Sequence, residues 1–239
     1  MFWVALWQLV SMLIGKEVLL ASPCATFRAL ADLAGQPVFW HTIGNSLTRI
    51  VAGFVLATVT GVALAVLSAV SDTVRWMLAP MFSFIKSVPV ASFIIVLLLW
   101  VRSGGLSVCI SFLMVLPVVY NNMLSGLVQV DRKLLEMAQV FRLSDAKKIK
   151  YIYIPQLMPY FTAACTTALG LCWKSGIAAE VIGIAEGTIG NRLYETKLYM
   201  ETAQLFAWTI VIVVLSRIIE KGFLWLLDKI NDKIRRGFL

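Results

Sequence analysis

An all-α membrane protein with about six transmembrane helices is the fold predicted by three features of the sequence. Apolar residues gather in long blocks, charge is scarce, and basic residues concentrate between and after the blocks. Apolar side chains make up 60% of the 239 residues and charged ones 14%, against about 25% charged in a soluble domain. With a mean hydropathy of +0.86, too little polar surface remains to coat a water-soluble body. About 20 apolar residues cross the hydrocarbon core as a helix, and a backbone in lipid must satisfy its own polar groups. The short in–out alternation of a membrane β-barrel is absent from the sequence.

The expected spans follow in order. Span 1 covers roughly 2–15 and is short for a full crossing; with no basic region before it, it reads as a span rather than a cleaved leader. A more polar connection, 16–43, contains Ser22-Pro23 before Ala25–Leu33, a helix start with a capping serine. Span 2 is about 45–70, where Gly53, Gly61 and several alanines permit close helix contact. Span 3, about 78–101, is interrupted by Lys86 and Pro89. Span 4, about 106–128, contains Pro117. After the polar stretch 129–157 come span 5 (about 159–182), a polar connection with Gly183, Gly187 and Gly190, and span 6 (about 203–224). The tail 225–239 alternates apolar and basic residues in the pattern of a helix lying on an anionic leaflet. The whole chain, 1–239, is read as one transmembrane domain.

The net charge of +8 points to membrane orientation rather than nucleic acid. The 129–157 loop holds Arg132, Lys133, Arg142, Lys147, Lys148 and Lys150, and the tail holds Lys221, Lys229, Lys233, Arg235 and Arg236. The positive-inside rule places that loop and both termini in the cytoplasm. Cys24, Cys109, Cys165 and Cys172 have no metal-ligand spacing with the single His41, so no metal or cofactor is expected on this chain.

Within Asp131–Pro159, Leu134-Leu135, Ala138 and Phe141 fall at helical spacing, and Ser144-Asp145 starts a second helix that Pro155 and Pro159 are expected to end. Two short helices with a tight bend near Arg142–Ser144 would then lie outside the bilayer, presenting Leu135, Ala138 and Phe141 to something that covers them.

The order Glu136-Met137-Ala138, a bend, then Ile154-Pro155 and Pro159 resembles the EAA motif of ABC importer permeases. Met137 replaces the middle alanine, and Arg142 occupies the usual glycine position. The resemblance runs through roughly 20–228: Asn45-Ser46-Leu47-Thr48-Arg49 resembles the start of the family's second span. Ser87-Val88-Pro89 and Leu98-Leu99-Trp100 resemble its third, and Trp173-Lys174 with Ala178-Ala179-Glu180-Val181-Ile182-Gly183 resembles the end of its fifth. Together these resemble the branch serving nitrate, sulfonates, taurine and thiamine precursors. The resemblance implies a MetI-like type I importer fold and an ATPase-coupling segment carried by Glu136, Met137, Ala138, Arg142, Leu143, Ser144 and Pro155. It also implies two cytosolic ATPase subunits that hold ATP and Mg, a second permease copy in a homodimer, and an extracytoplasmic solute-binding protein, in a bacterial inner membrane.

Ionisable groups within spans mark pathways by default, or else snorkel to the interface or pair inside the bundle. Lys86 beside Pro89, and Lys174 and Glu180 near the end of span 5, are on the first reading candidates for a translocation path or gate, as is Trp173 through the resemblance, for a small anionic or heterocyclic solute. No GxxxxGK[ST] motif occurs in the chain, so an ATP site must belong to a partner. The alternatives are a membrane-embedded enzyme, disfavoured by the lack of an acid–base pair within spans, and a self-sufficient channel or secondary transporter, which often shows matching halves that this sequence lacks.

Overall fold

The computed structural model describes residues 2–236, whose regular elements are all helical. In order they are α1 (Phe2–Ile14), α2 (Pro23–Ala34), α3 (Pro37–Val70), α4 (Asp72–Ser87), α5 (Val90–Leu97), α6 (Ser103–Val128), α7 (Arg132–Val140), α8 (Asp145–Lys148), a π-helical turn (Ile149–Tyr153), α9 (Ile154–Gly183), α10 (Ile189–Leu198) and α11 (Thr202–Arg236). The chain divides into two compact units. One is the chain up to Val51 with Val90–Ile110 and Lys174–Arg217; the other is Ala52–Pro89, Ser111–Trp173 and the chain from Ile218 onward.

Among the described residues, α3 and α6 are each long and apolar enough to cross a bilayer. At 34 residues, α3 is about 51 Å long at 1.5 Å per residue, so it starts well before the expected span. Span 3 is not one continuous helix: α4 and α5 together are apolar enough to cross, but the helix is broken between Ser87 and Val90. Pro89 explains the break, because it lacks an N–H to continue the ladder and forces the residue before it out of the helical region; Val88 is extended, with ψ 131°. At 30 and 35 residues, α9 and α11 have the length to cross but interleave more polar residues. The 13 residues of α1 span about 20 Å, less than the roughly 30 Å of hydrocarbon.

Two expected boundaries are corrected. Pro155 and Pro159 do not end the second loop helix; helical backbone continues from α8 through the π turn into α9, with Pro159 inside. A wide turn relieves the ladder at this point: the Ile154 N–H bonds to Ile149 O, five residues back, just ahead of the donor that Pro155 lacks. The boundary expected between span 6 and the tail is not a break either: α11 runs from Thr202 to Arg236, and residues 237–239 of the tail lie outside the described residues.

In the first unit, Ser22 caps α2 as expected, accepting from the Ala25 N–H at 3.2 Å. The chain after α1 folds back along it: Trp7 Nε1 donates to Ala21 O at 3.0 Å, and Ser11 Oγ to Leu20 O at 3.1 Å. Phe39 of α3 stacks on Trp208 of α11, with ring centroids 5.0 Å apart. The second unit relies on close helix approach. A Cβ on Gly61 would sit 3.1 Å from Val119 Cβ, and one on Gly126 only 2.8 Å from Tyr160 Cγ. Small residues at such crossings let dispersion act between backbones where lipid supplies no hydrophobic drive.

Candidate functional site

The loop between α6 and α9 is a helical hairpin with its own small core. Asp131 caps α7, accepting from the Lys133 N–H at 2.8 Å. Ala138, fully buried, packs with Val130 and Ile152, and with the partly buried Leu135, Leu143 and Tyr153. At the root, Gln156 Oε1 accepts from the Asp131 N–H at 3.0 Å, and Tyr160 Oη donates to Gln129 Oε1 at 2.7 Å. The hairpin is therefore tied to α9 on one side and closed on itself.

The bend uses a specific cap. The Leu143 N–H reaches Ala138 O and the Arg142 N–H reaches Gln139 O, both at 2.9 Å, the paired pattern of a Schellman motif. That motif requires a left-handed residue, and Arg142 has φ 51°. The position where the importer pattern has glycine thus needs glycine-like backbone, and an arginine adopts it. Ser144 occupies the N-cap of α8 as expected, but its side chain makes no capping bond; Asp145 instead pairs with Lys148 at 3.0 Å.

The outward face differs from expectation. Leu135 and Ala138 point into the hairpin core, while Phe141 is exposed as expected, together with Val140 and Met137. The apolar spacing of α7 fitted either phase; Val130 and Ile152, flanking the helix in sequence, select the inward one. Pro155 is half-buried, whereas Glu136 is exposed.

In the first unit, Glu180 is wholly buried at the meeting of α3, α9 and α10. Its Oε2 accepts from Ser46 Oγ at 2.7 Å and from the Gly190 N–H at 3.2 Å. Ser46 Oγ in turn accepts from the Ile189 N–H at 2.9 Å. Thr188 caps the same helix, accepting from the Asn191 N–H at 3.2 Å. Glu180, Ser46 and Thr188 together satisfy the free donors of the first turn of α10, and a carboxylate there also complements the helix dipole. The geometry demands Gly190: a Cβ there would lie 2.3 Å from Glu180 Cβ. Just beyond, Ile184 has φ 48°, strained for a β-branched residue, with the Ala185 N–H bonded to Glu180 O at 3.1 Å. Helix α10 has no apolar periodicity to mark it, and its polar residues and neighbouring glycines read as a polar connection. Ser46 lies 134 residues from Glu180 in the chain, and its neighbours resemble only the start of a span.

Trp173 is buried in α9, and Lys174 beside it is exposed. Lys86, in the last turn of α4, is also exposed. It lines an open cleft of about 290 Å³ in the second unit with Arg75, Phe82, Ser83, Tyr120 and Asn121. Pro89 marks the α4–α5 break. Arg75 lies three helical turns from Lys86 on one face of α4.

A helical membrane chain with a self-cored hairpin between two of its long helices has the form of a transporter's permease subunit. Residues 57–236 match the family described as the binding-protein-dependent transport system inner membrane component, and the chain belongs to that family. It is similar to the bicarbonate transport system permease protein CmpB of Synechococcus elongatus, 25% identical over 79% of this chain and 68% of that one. The taurine transport system permease protein TauC of Escherichia coli is 23% identical over 90% and 80%. The nitrate import permease protein NrtB of Synechococcus elongatus is 26% identical over 80% and 72%. A solved amino acid ABC transporter crystallised with histidines shares the fold, with a TM-score of 0.65 and 17% identity over 85% of this chain and 97% of that one. The protein is thus a multi-pass permease subunit of an ABC transporter, which works with a separate ATPase and a binding protein and does not itself hydrolyse ATP.

Proposed function

We propose that the chain imports a small anion and receives the ATPase's conformational change through the α7–α8 hairpin. The observation that carries this is the outward edge of the hairpin. Val140 is 79% and Phe141 69% exposed, on an element whose core is already filled by Ala138, Val130 and Ile152. An apolar edge that the hairpin does not need for itself suits a recess on a protein partner. Met137 and Glu136 border it, Arg142 and Leu143 set the bend, and Pro155 sits where the hairpin joins α9. ATP and Mg belong to that partner.

The basic residues of the hairpin and tail support a cytoplasmic side for both, with the two termini on it. One copy has too few spans to enclose a wide path, which supports a homodimer with two ATPase subunits and one path on the two-fold axis. The permeases for bicarbonate, taurine and nitrate act on small charged solutes, and unpaired cations on this chain fit an anion. Lys86, Pro89, Trp173, Lys174 and Glu180 are the candidates for the path or its gate, and Glu180 also ties α9 to α3 and the first turn of α10.

The test is co-purification of the ATPase with a Val140→Asp/Phe141→Asp double variant in mild detergent, beside Ala138→Trp. The double variant keeps the hairpin core and should lose at least tenfold of the bound ATPase, while the permease stays at wild-type abundance. Ala138→Trp should lose both binding and hairpin protection from proteolysis. Full ATPase recovery with the double variant refutes the docking edge.

A further inference from the structure

We propose that the cleft between α4 and α6 is a binding site for the oxyanion group of the transported solute, with Lys86 as its main contact and Arg75 as a second station. The inference rests on the anion-import reading above and assigns it a place. One face of α4 supplies Arg75, Phe82, Ser83 and Lys86, at i, i+7, i+8 and i+11, which a helix of 3.6 residues per turn brings into one stripe. Across from them α6 contributes Tyr120 and Asn121.

Neither cation is explained by structure. The Asp145–Lys148 and Arg192–Glu195 ion pairs lie on other elements. Among the described residues the side chains of Arg75 and Lys86 make no hydrogen bond or ion pair, and the Arg75 backbone N–H only continues the helix, on Ser71 O at 3.2 Å. Both belong to a helix that, with α5, is apolar enough to cross a bilayer, where unpaired charge is expensive and usually functional. Lys86 in the last turn gains from the helix dipole, but Arg75 in the first turn opposes it, so capping cannot account for both.

The lining also selects the sign and size of the ligand. It offers an ammonium, a guanidinium, the Ser83 hydroxyl and the Asn121 amide, with no carboxylate among the described lining residues. Tyr120 is committed elsewhere: its hydroxyl donates to Ser68 Oγ at 3.0 Å, and its ring lies 4.2 Å from that of Phe82, forming a stiff apolar wall. A volume of about 290 Å³ sits at the lower bound of small-molecule sites, roughly 300 Å³. Lys86 and Arg75 stand about 16 Å apart along the axis, too far for one small anion to touch both. A solute would therefore meet Lys86 and Arg75 in succession. With no carboxylate to receive an ammonium, the cleft should favour a plain sulfonate over the zwitterion of the same length.

The experiment uses the permease–ATPase complex in nanodiscs of zwitterionic lipid, titrated calorimetrically with sodium ethanesulfonate and, separately, with taurine at constant ionic strength. Wild type should bind ethanesulfonate saturably and at least tenfold tighter than taurine. Lys86→Gln should weaken ethanesulfonate at least tenfold and Arg75→Gln severalfold, with Lys86→Arg within about threefold of wild type. No saturable binding, or binding unchanged by Lys86→Gln and Arg75→Gln, overturns the site. A lipid headgroup is the other source of an oxyanion: if discs with phosphatidylglycerol abolish ethanesulfonate binding through competition that depends on Lys86, the cleft is a lipid site and the proposal fails. ATPase recovery in each preparation is scored separately, so loss of the anion site with the ATPase retained leaves the coupling reading standing.

Discussion

Replacing Arg142 with glycine should tighten the hairpin, and replacing it with valine should loosen it. The magnitude follows from the bend. An L-residue in the left-handed region costs roughly 1–2 kcal/mol, and Arg142 sits there with φ 51°. Glycine removes that cost but adds about 0.5–1 kcal/mol of chain entropy lost on ordering. The net gain is about 0.5–1 kcal/mol, a two- to fivefold smaller population of opened hairpin. The side chain of Arg142 is exposed, so its removal forfeits little packing. Valine keeps the left-handed requirement and adds β-branching, where such backbone is a genuine outlier; opening should rise at least fivefold.

Hydrogen exchange of the Leu143 amide is the direct assay, because that N–H closes the bend on Ala138 O at 2.9 Å. Exchange should slow two- to fivefold in Arg142→Gly and quicken in Arg142→Val, with Arg142→Ala near wild type to show that charge is not the cause. If the hairpin transmits the ATPase's motion, transport per ATP should follow the same order. Faster exchange in Arg142→Gly than in Arg142→Val would refute the argument.

Two predictions concern the buried knot. Glu180→Ala leaves the Ser46 hydroxyl and the Gly190 N–H without their acceptor, at about 1–3 kcal/mol each, so the thermal midpoint should fall by several degrees and α10 should lose exchange protection first. Glu180→Gln keeps an acceptor oxygen and should recover much of the loss. Gly190→Ala places a Cβ 2.3 Å from Glu180 Cβ and 2.6 Å from its backbone carbon, where little can yield. Its cost should match or exceed the roughly 1–3 kcal/mol of ordinary overpacking, read as a comparable fall in midpoint.

What the sequence disclosed and what it withheld divide along range. Local chemistry was legible: a Ser-Pro start before α2, a bend at Arg142 and a break at Pro89 each depend on a few neighbouring residues. Long apolar blocks were legible for the same reason, since length and composition alone set whether a helix such as α3 or α6 can cross. Phase was not. Leu135, Ala138 and Phe141 share a helical spacing, and only the packing of Val130 and Ile152 turns the first two inward and leaves Phe141 out. Prolines misled because their effect depends on the turn before them: Pro155 follows a π turn, and the helix continues. Nor was the Glu180 knot legible. A carboxylate near the end of an apolar block reads as a path residue, and only the fold brings Ser46 and the first turn of α10 to it. Once those donors are in place, the carboxylate has a structural reason to be buried. Lys86 and Arg75, in contrast, acquire no partner from the fold, and an unpaired cation beside an open cleft is the stronger mark of a ligand.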